Sequence, residues 1–105
     1  MTVTAQDLLA DIKSYLDITW DDVETERKLE GIIQRGMAYI TRLSGEKTLD
    51  FGSDQKAREL LFNYCRYDRE NALHEFQTNY LPEILSFQTE KEVARYVAKQ
   101  GESNI

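Results

Sequence analysis

The sequence predicts an all-α fold, a compact bundle of four to five helices with a long central helix over about residues 54–78. Three observations carry that expectation. Apolar residues recur at helical spacing along most of the chain, and capping residues stand where the periodic runs begin. One proline and five glycines among 105 residues leave few interruptions.

The first helix opens at Thr4, with Asp7 three residues later as a capping box. Leu8, Leu9, Ile12, Tyr15 and Leu16 then mark one helical face. Residues 17–22 break the rhythm and supply new capping groups. From about Val23 to Leu43, Leu29, Ile32, Ile33, Gly36, Met37, Tyr39, Ile40 and Leu43 fall within an arc of about 160°. Gly36 sits inside that arc, where glycine costs about 1 kcal/mol of helix propensity relative to alanine. A second helix crossing close to the backbone explains it. Ser44-Gly45 ends this helix with a C′ glycine.

Leu49 and Phe51 are expected to plug the core edge from the following loop, and Trp20 is read as a similar plug. Ser53 or Asp54 caps the predicted long helix, whose core stripe is Ala57, Leu60, Leu61 and Tyr64. A second stripe, Phe62, Cys65, Leu73 and Phe76, lies about 100° away. Asp68, Arg69 and Glu75 fall within the same apolar girth, where unpaired charge is costly. Phe62, Asp68, Arg69, Leu73 and Phe76 are therefore the candidate subunit interface, weighed against plain exposure along a projecting helix end. Pro82 opens a short helix carrying Ile84, Leu85 and Phe87. Thr89 and Glu92 make a capping box for a last helix with Val93, Tyr96 and Val97, which Gly101 ends before a frayed tail. The expected division is a helical domain over 1–88 and a C-terminal docking segment over 89–105.

Charge excludes more than it assigns. Thirteen bases and nineteen acids give a net charge of −6, unlike the strongly basic balance of nucleic-acid grips. Residues 1–30 hold eight acids against three bases, hence −5. Asp17, Asp21, Asp22, Glu24 and Glu26 form an acidic exposed face, in part serving the macrodipole at a helix start. The lone Cys65 has no disulfide partner, and no Cys/His cluster offers a zinc site. The N-terminus lacks the basic and apolar regions of a signal peptide, and no apolar run spans a membrane.

Catalytic motifs fail one by one. His74-Glu75 begins like H-E-x-x-H, but Thr78 stands where the second histidine belongs. Read as a calcium loop from Asp17, the segment has Asp22 at the glycine position and Lys28 at the bidentate glutamate. No phosphate-binding glycine motif occurs, and Cys65 stands nine residues from the single histidine on a different helix face. The expectation is no enzyme, no cofactor and no metal.

The ordered segments Asp11-Ile12-Lys13-Ser14-Tyr15-Leu16, Ile32 to Ile40 with its Gly36-Met37-Ala38-Tyr39-Ile40, Arg58 to Tyr67, Asn71-Ala72-Leu73 and Tyr80-Leu81-Pro82-Glu83-Ile84-Leu85-Ser86 resemble the small head–tail connector proteins of tailed bacteriophages. The resemblance covers about residues 5 to 88. It implies a helical, non-catalytic virion protein, assembled in the bacterial cytoplasm as a homo-oligomeric ring, usually twelvefold, beneath the portal protein. Such a ring extends the DNA channel, lets DNA pass without specific binding, and offers a surface to a tail or stopper protein. It also implies that a terminal segment grips the portal, which makes Val93, Tyr96 and Val97 the candidate docking residues and the acidic residues 17–26 a candidate channel face. The alternative is a small helical transcriptional regulator or adaptor module. A recognition helix would gather Lys and Arg on one face, whereas Lys56, Glu59, Arg66 and Glu70 mix both signs.

Overall fold

In the computed structural model, which describes residues 3–103, five helices follow one another: α1 (Ala5–Tyr15), α2 (Val23–Ser44), α3 (Gln55–Arg69), α4 (Leu73–Asn79) and α5 (Leu81–Ser103). The all-α expectation holds. The central long helix is α2, whose 22 residues touch α1, α3 and α5.

Local chemistry sets most boundaries as expected. The Thr4 hydroxyl accepts from the Asp7 N–H while the Asp7 carboxylate accepts from the Thr4 N–H. Asp22 caps α2 through the Thr25 N–H, and Asp54 caps α3 through the Ala57 N–H. Gly45 ends α2 at φ +76°, in the left-handed region that glycine enters freely. The chain ends α1 with a Schellman motif in which the Ile18 N–H reaches the Lys13 carbonyl and the Asp17 N–H reaches Ser14. Asp17 takes the left-handed position there at φ 59°, and Ile18 is buried beyond it.

The same device corrects the expected helix over 54–78. The Ala72 N–H bonds the Tyr67 carbonyl, the Asn71 N–H bonds Asp68, and Asn71 adopts φ 57°. This second Schellman motif ends α3 at Arg69 and folds α4 back over it. No glycine or proline announces the break, because asparagine fills the left-handed site. The C-terminal expectation is corrected in the opposite sense. There is no helix start at Thr89, whose hydroxyl donates to the Leu85 carbonyl inside a continuous α5. The helix also runs past Gly101 to Ser103, so the proposed boundary at residue 88 has no break in the backbone. Of the tail expected to fray, Glu102 and Ser103 instead continue the helix, and Asn104 and Ile105 lie outside the described residues.

One apolar core gathers Leu8 and Ile12, Leu29, Ile33 and Ile40, Leu60, Leu61 and Cys65, Phe76, and Ile84 and Phe87 from the five helices. Leu49 and Phe51 close it from the loop, as expected. At the α2–α3 crossing, a Cβ on Gly36 would stand 2.7 Å from both Leu61 Cδ1 and Tyr64 Cδ1. Glycine is there for close approach. Side-chain contacts hold α5 to the bundle as far as Arg95, and its last turns project from it. Dimensions of 55 × 31 × 17 Å and a radius of gyration of 15.4 Å reflect that projection, against about 13 Å for a fully compact chain of this length.

Candidate interaction surfaces

The stripe expected to meet a neighbouring subunit is largely used inside the chain. Phe76 has no exposed surface, and its ring lies 5.1 to 5.9 Å from those of Tyr64, Tyr67 and Tyr80. It belongs to the core because α4 folds back, and it leaves the candidate interface. Phe62 is half-buried, edge-on to Tyr15 at 5.4 Å and covered by the Arg58 guanidinium at 4.8 Å. Arg58 in turn binds Asp11 at 2.6 Å and so ties α3 to α1. Leu73 is half-buried against the core.

Asp68 does not await a partner subunit's charge. The Arg35 guanidinium on α2 donates to it at 3.3 Å. Arg69 and Glu75 are exposed, which removes the cost that singled them out. Burial first, then the Asp68 charge, pushes the Cys65 thiol up to about 12, with Arg35 acting against them. The thiol is inert by that chemistry. Asn63 is half-buried. Its Oδ1 accepts from the hydroxyls of Tyr15 at 2.9 Å and Tyr80 at 2.8 Å, joining α1, α3 and the entry to α5.

The acidic residues 17–26 are exposed or half-exposed and partly neutralised. Lys13 donates to Asp21 at 3.0 Å and stands 3.7 Å from Glu26. The Asp21 hydrogen bond raises the Lys13 pKa, with desolvation opposing and Glu26 adding to it. Glu24 is 3.5 Å from Arg27. Asp22 is held below the ordinary carboxylate range by the Thr25 hydroxyl first, against a smaller desolvation, and by backbone N–H groups. Trp20 is not a plug: half of its surface faces solvent, and Val23 beside it is more exposed still.

The largest unpartnered apolar surface lies on α5. Ile84 and Phe87 face the core, and polar contacts continue that side outward. Gln88 donates to the Leu43 carbonyl at 3.2 Å, and Lys56 bridges Ser86 and Glu90. Lys91 pairs with Asp54, and Arg95 donates to the Ser44 carbonyl at 2.8 Å and to Glu46 at 3.1 Å. On the other side, Leu81, Leu85, Val93, Tyr96 and Val97 are each at least half exposed. At 100° per residue they span an arc of about 160°. The structure thus brings the expected docking residues Val93, Tyr96 and Val97 onto one outward stripe and adds Leu81 and Leu85. Because Pro82 and the apparent cap at Thr89 divide this segment into two helices in the sequence reading, Leu81 and Leu85 do not line up there with Val93, Tyr96 and Val97.

Two of the clefts beside α2 lie at its opposite ends. One of 680 Å³ lies between α1 and the 17–21 loop, with Lys13 on its wall. The other, of 370 Å³, lies at the far end of α2, with Met37, Leu49 and Phe51 on its apolar side and Arg42 and Lys47 beside them. Among the described residues, no group of three or more His, Cys, Asp or Glu side chains is placed to hold a metal ion, and no helix is long and apolar enough to cross a membrane. Comparison with protein-family models, with curated proteins and with solved structures finds no match to this chain.

Proposed function

We propose that this chain is a structural head–tail connector of a tailed bacteriophage, a ring-forming subunit that docks beneath the portal and offers a surface to the tail or stopper. The observation that carries the reading is the outward stripe of α5. A helix latched to its own bundle on one side and apolar on the other suits insertion against a second protein. The segments that carry the family resemblance also fall at structural joints. Asp11 to Leu16 closes α1, Gly36 to Ile40 forms the α2–α3 crossing, and Tyr80 to Ser86 launches α5. An acidic surface along the first thirty residues supports a role beside passing DNA, which it repels. In this reading the protein resides at the head–tail junction of the virion.

Electron microscopy of the chain mixed with its portal tests the proposal. The expected result is added ring density coaxial with the portal. Val93→Asp with Val97→Asp should abolish that density while leaving the melting temperature unchanged, since both side chains are exposed. A portal left bare at tens of micromolar protein would rule the reading out.

A further inference from the structure

The two ends of α2 are chemically complementary surfaces: the acids at the first end are partly paired, Asp21 with Lys13 and Glu24 with Arg27, but the apolar side chains beside them stay uncovered within the chain. At the N-terminal end, Trp20 is 50% and Val23 is 74% exposed, an apolar pair set among Asp17, Asp21, Asp22 and Glu24. At the C-terminal end, the apolar side of the 370 Å³ groove is half-buried Met37 and the outer edges of the core residues Leu49 and Phe51. Its cations are Arg42, whose guanidinium lies 5.9 Å from the Tyr39 ring, and Lys47. Neither cation meets a carboxylate among the described residues. The one acid on the groove, Glu46, is taken by Arg95. One end therefore offers an exposed indole with acids, and the other an apolar cleft with unpaired bases.

Helix-dipole compensation accounts for acids at the start of α2 and a base at its end. It does not account for an indole and a valine left in water beside those acids, nor for an open apolar groove at the opposite end. The two surfaces are about 29 Å apart along α2, at 1.5 Å per residue from Val23 to Arg42. They cannot satisfy each other within one chain.

Resting on the connector reading, we infer that copies of this chain join head to tail, with Trp20 and Val23 of one copy seated in the Met37–Phe51 groove of the next. Acids around the indole then face Arg42 and Lys47 across the contact. Such a contact is heterologous, so each copy keeps one free end of each kind, and the series closes into a ring when the rotation permits. The occupant is a second copy because the chain itself carries the matching end. An aromatic anchor seated in an apolar cleft with opposite charges at its edge is also the arrangement that concentrates binding energy in few residues.

Trp20 is the only tryptophan, so its emission reports directly on this contact. The full chain is followed by sedimentation velocity and fluorescence across a concentration series. The expected result is concentration-dependent assembly with a blue shift of Trp20 emission over the same range. Arg42→Glu with Lys47→Glu, and separately Asp21→Lys with Glu24→Lys, should each weaken self-association at least tenfold. Mixing the two double variants should restore it, since each then meets an end of opposite charge. A misfolded variant would not regain assembly on mixing, so the rescue separates loss of contact from loss of fold. Wild-type assembly without a Trp20 shift, or charge-reversed variants that assemble alone, would overturn this contact and leave the connector reading standing. A wild-type chain that stays monomeric both in free solution and on the portal would overturn both.

Discussion

Gly36 faces Leu61 and Tyr64 so closely that even one methyl group has nowhere to go. Leu61 is fully buried and Tyr64 nearly so. Gly36→Ala gains about 1 kcal/mol of helix propensity, against overpacking that typically costs about 1–3 kcal/mol. Two simultaneous contacts at 2.7 Å place this site at the upper end of that range. Chemical denaturation should show a net loss of stability, and an unchanged or raised midpoint would mean that α3 moves aside freely. That crossing was legible because a glycine within an apolar arc has one simple explanation. The left-handed positions of Asp17 and Asn71 were not. Neither type is restricted to that conformation, and a cap of this kind depends on backbone hydrogen bonds that side-chain periodicity does not record.

Helix α5 joins two segments that the sequence divides. Pro82 fits within its first turn, where no N–H is required, and Thr89 turns its hydroxyl back to Leu85 instead of capping a new start. Its attachment beyond Phe87 rests on polar contacts between residues 34 to 51 positions apart in the chain, chief among them Lys91–Asp54 and Arg95–Ser44. Such pairings carry no periodic signal. Truncation after Gln88 removes both, at about 0.5–1.5 kcal/mol each. The expected fall in melting temperature is roughly 4–8 °C per kcal/mol for a domain of this size. Truncation after Arg95 keeps both contacts and should leave the melting temperature nearly unchanged. Equal melting of the two truncated chains would show that the latches contribute nothing.

The Asp54 latch also sets a pH dependence. Partial burial pushes the Asp54 carboxyl up, but the Lys91 ammonium and the Ala57 N–H outweigh it and leave the pKa below the ordinary 3.8. A carboxylate whose folded pKa is lowered stabilises the fold fully above its unfolded value, and that contribution is lost as pH falls through the lowered value. Asp54→Asn keeps a capping oxygen but removes the charge that Lys91 meets. The variant should be less stable than wild type near pH 6, and the gap should narrow as pH falls below 3.8. A gap that stays constant with pH would assign the loss to packing alone.

The arrangement of charge along the chain was readable from composition, whereas its pairing was not, since Asp68 finds Arg35 only once α2 and α3 have crossed. What remains is a molecule of net charge −6 whose acids gather toward its N-terminal end. Affinity for duplex DNA depends on cations that displace counterions from phosphate. Fluorescence anisotropy with random duplex at 150 mM salt should therefore find no binding at protein concentrations up to about 100 μM, the weak limit of ordinary non-specific association. Micromolar affinity would favour the regulator alternative. Shape adds something that charge does not. Because α5 is held to the bundle as far as Arg95 and runs about 12 Å from there to Ser103 at 1.5 Å per residue, its free end is a short lever. A tilt of about 10° at its base, within the reach of hydrogen bonds that stretch or exchange with water, carries its far end sideways by about 2 Å over that length. The bundle can stay rigid while its tip searches, and a small angular tolerance at the latches becomes positional tolerance at the tip.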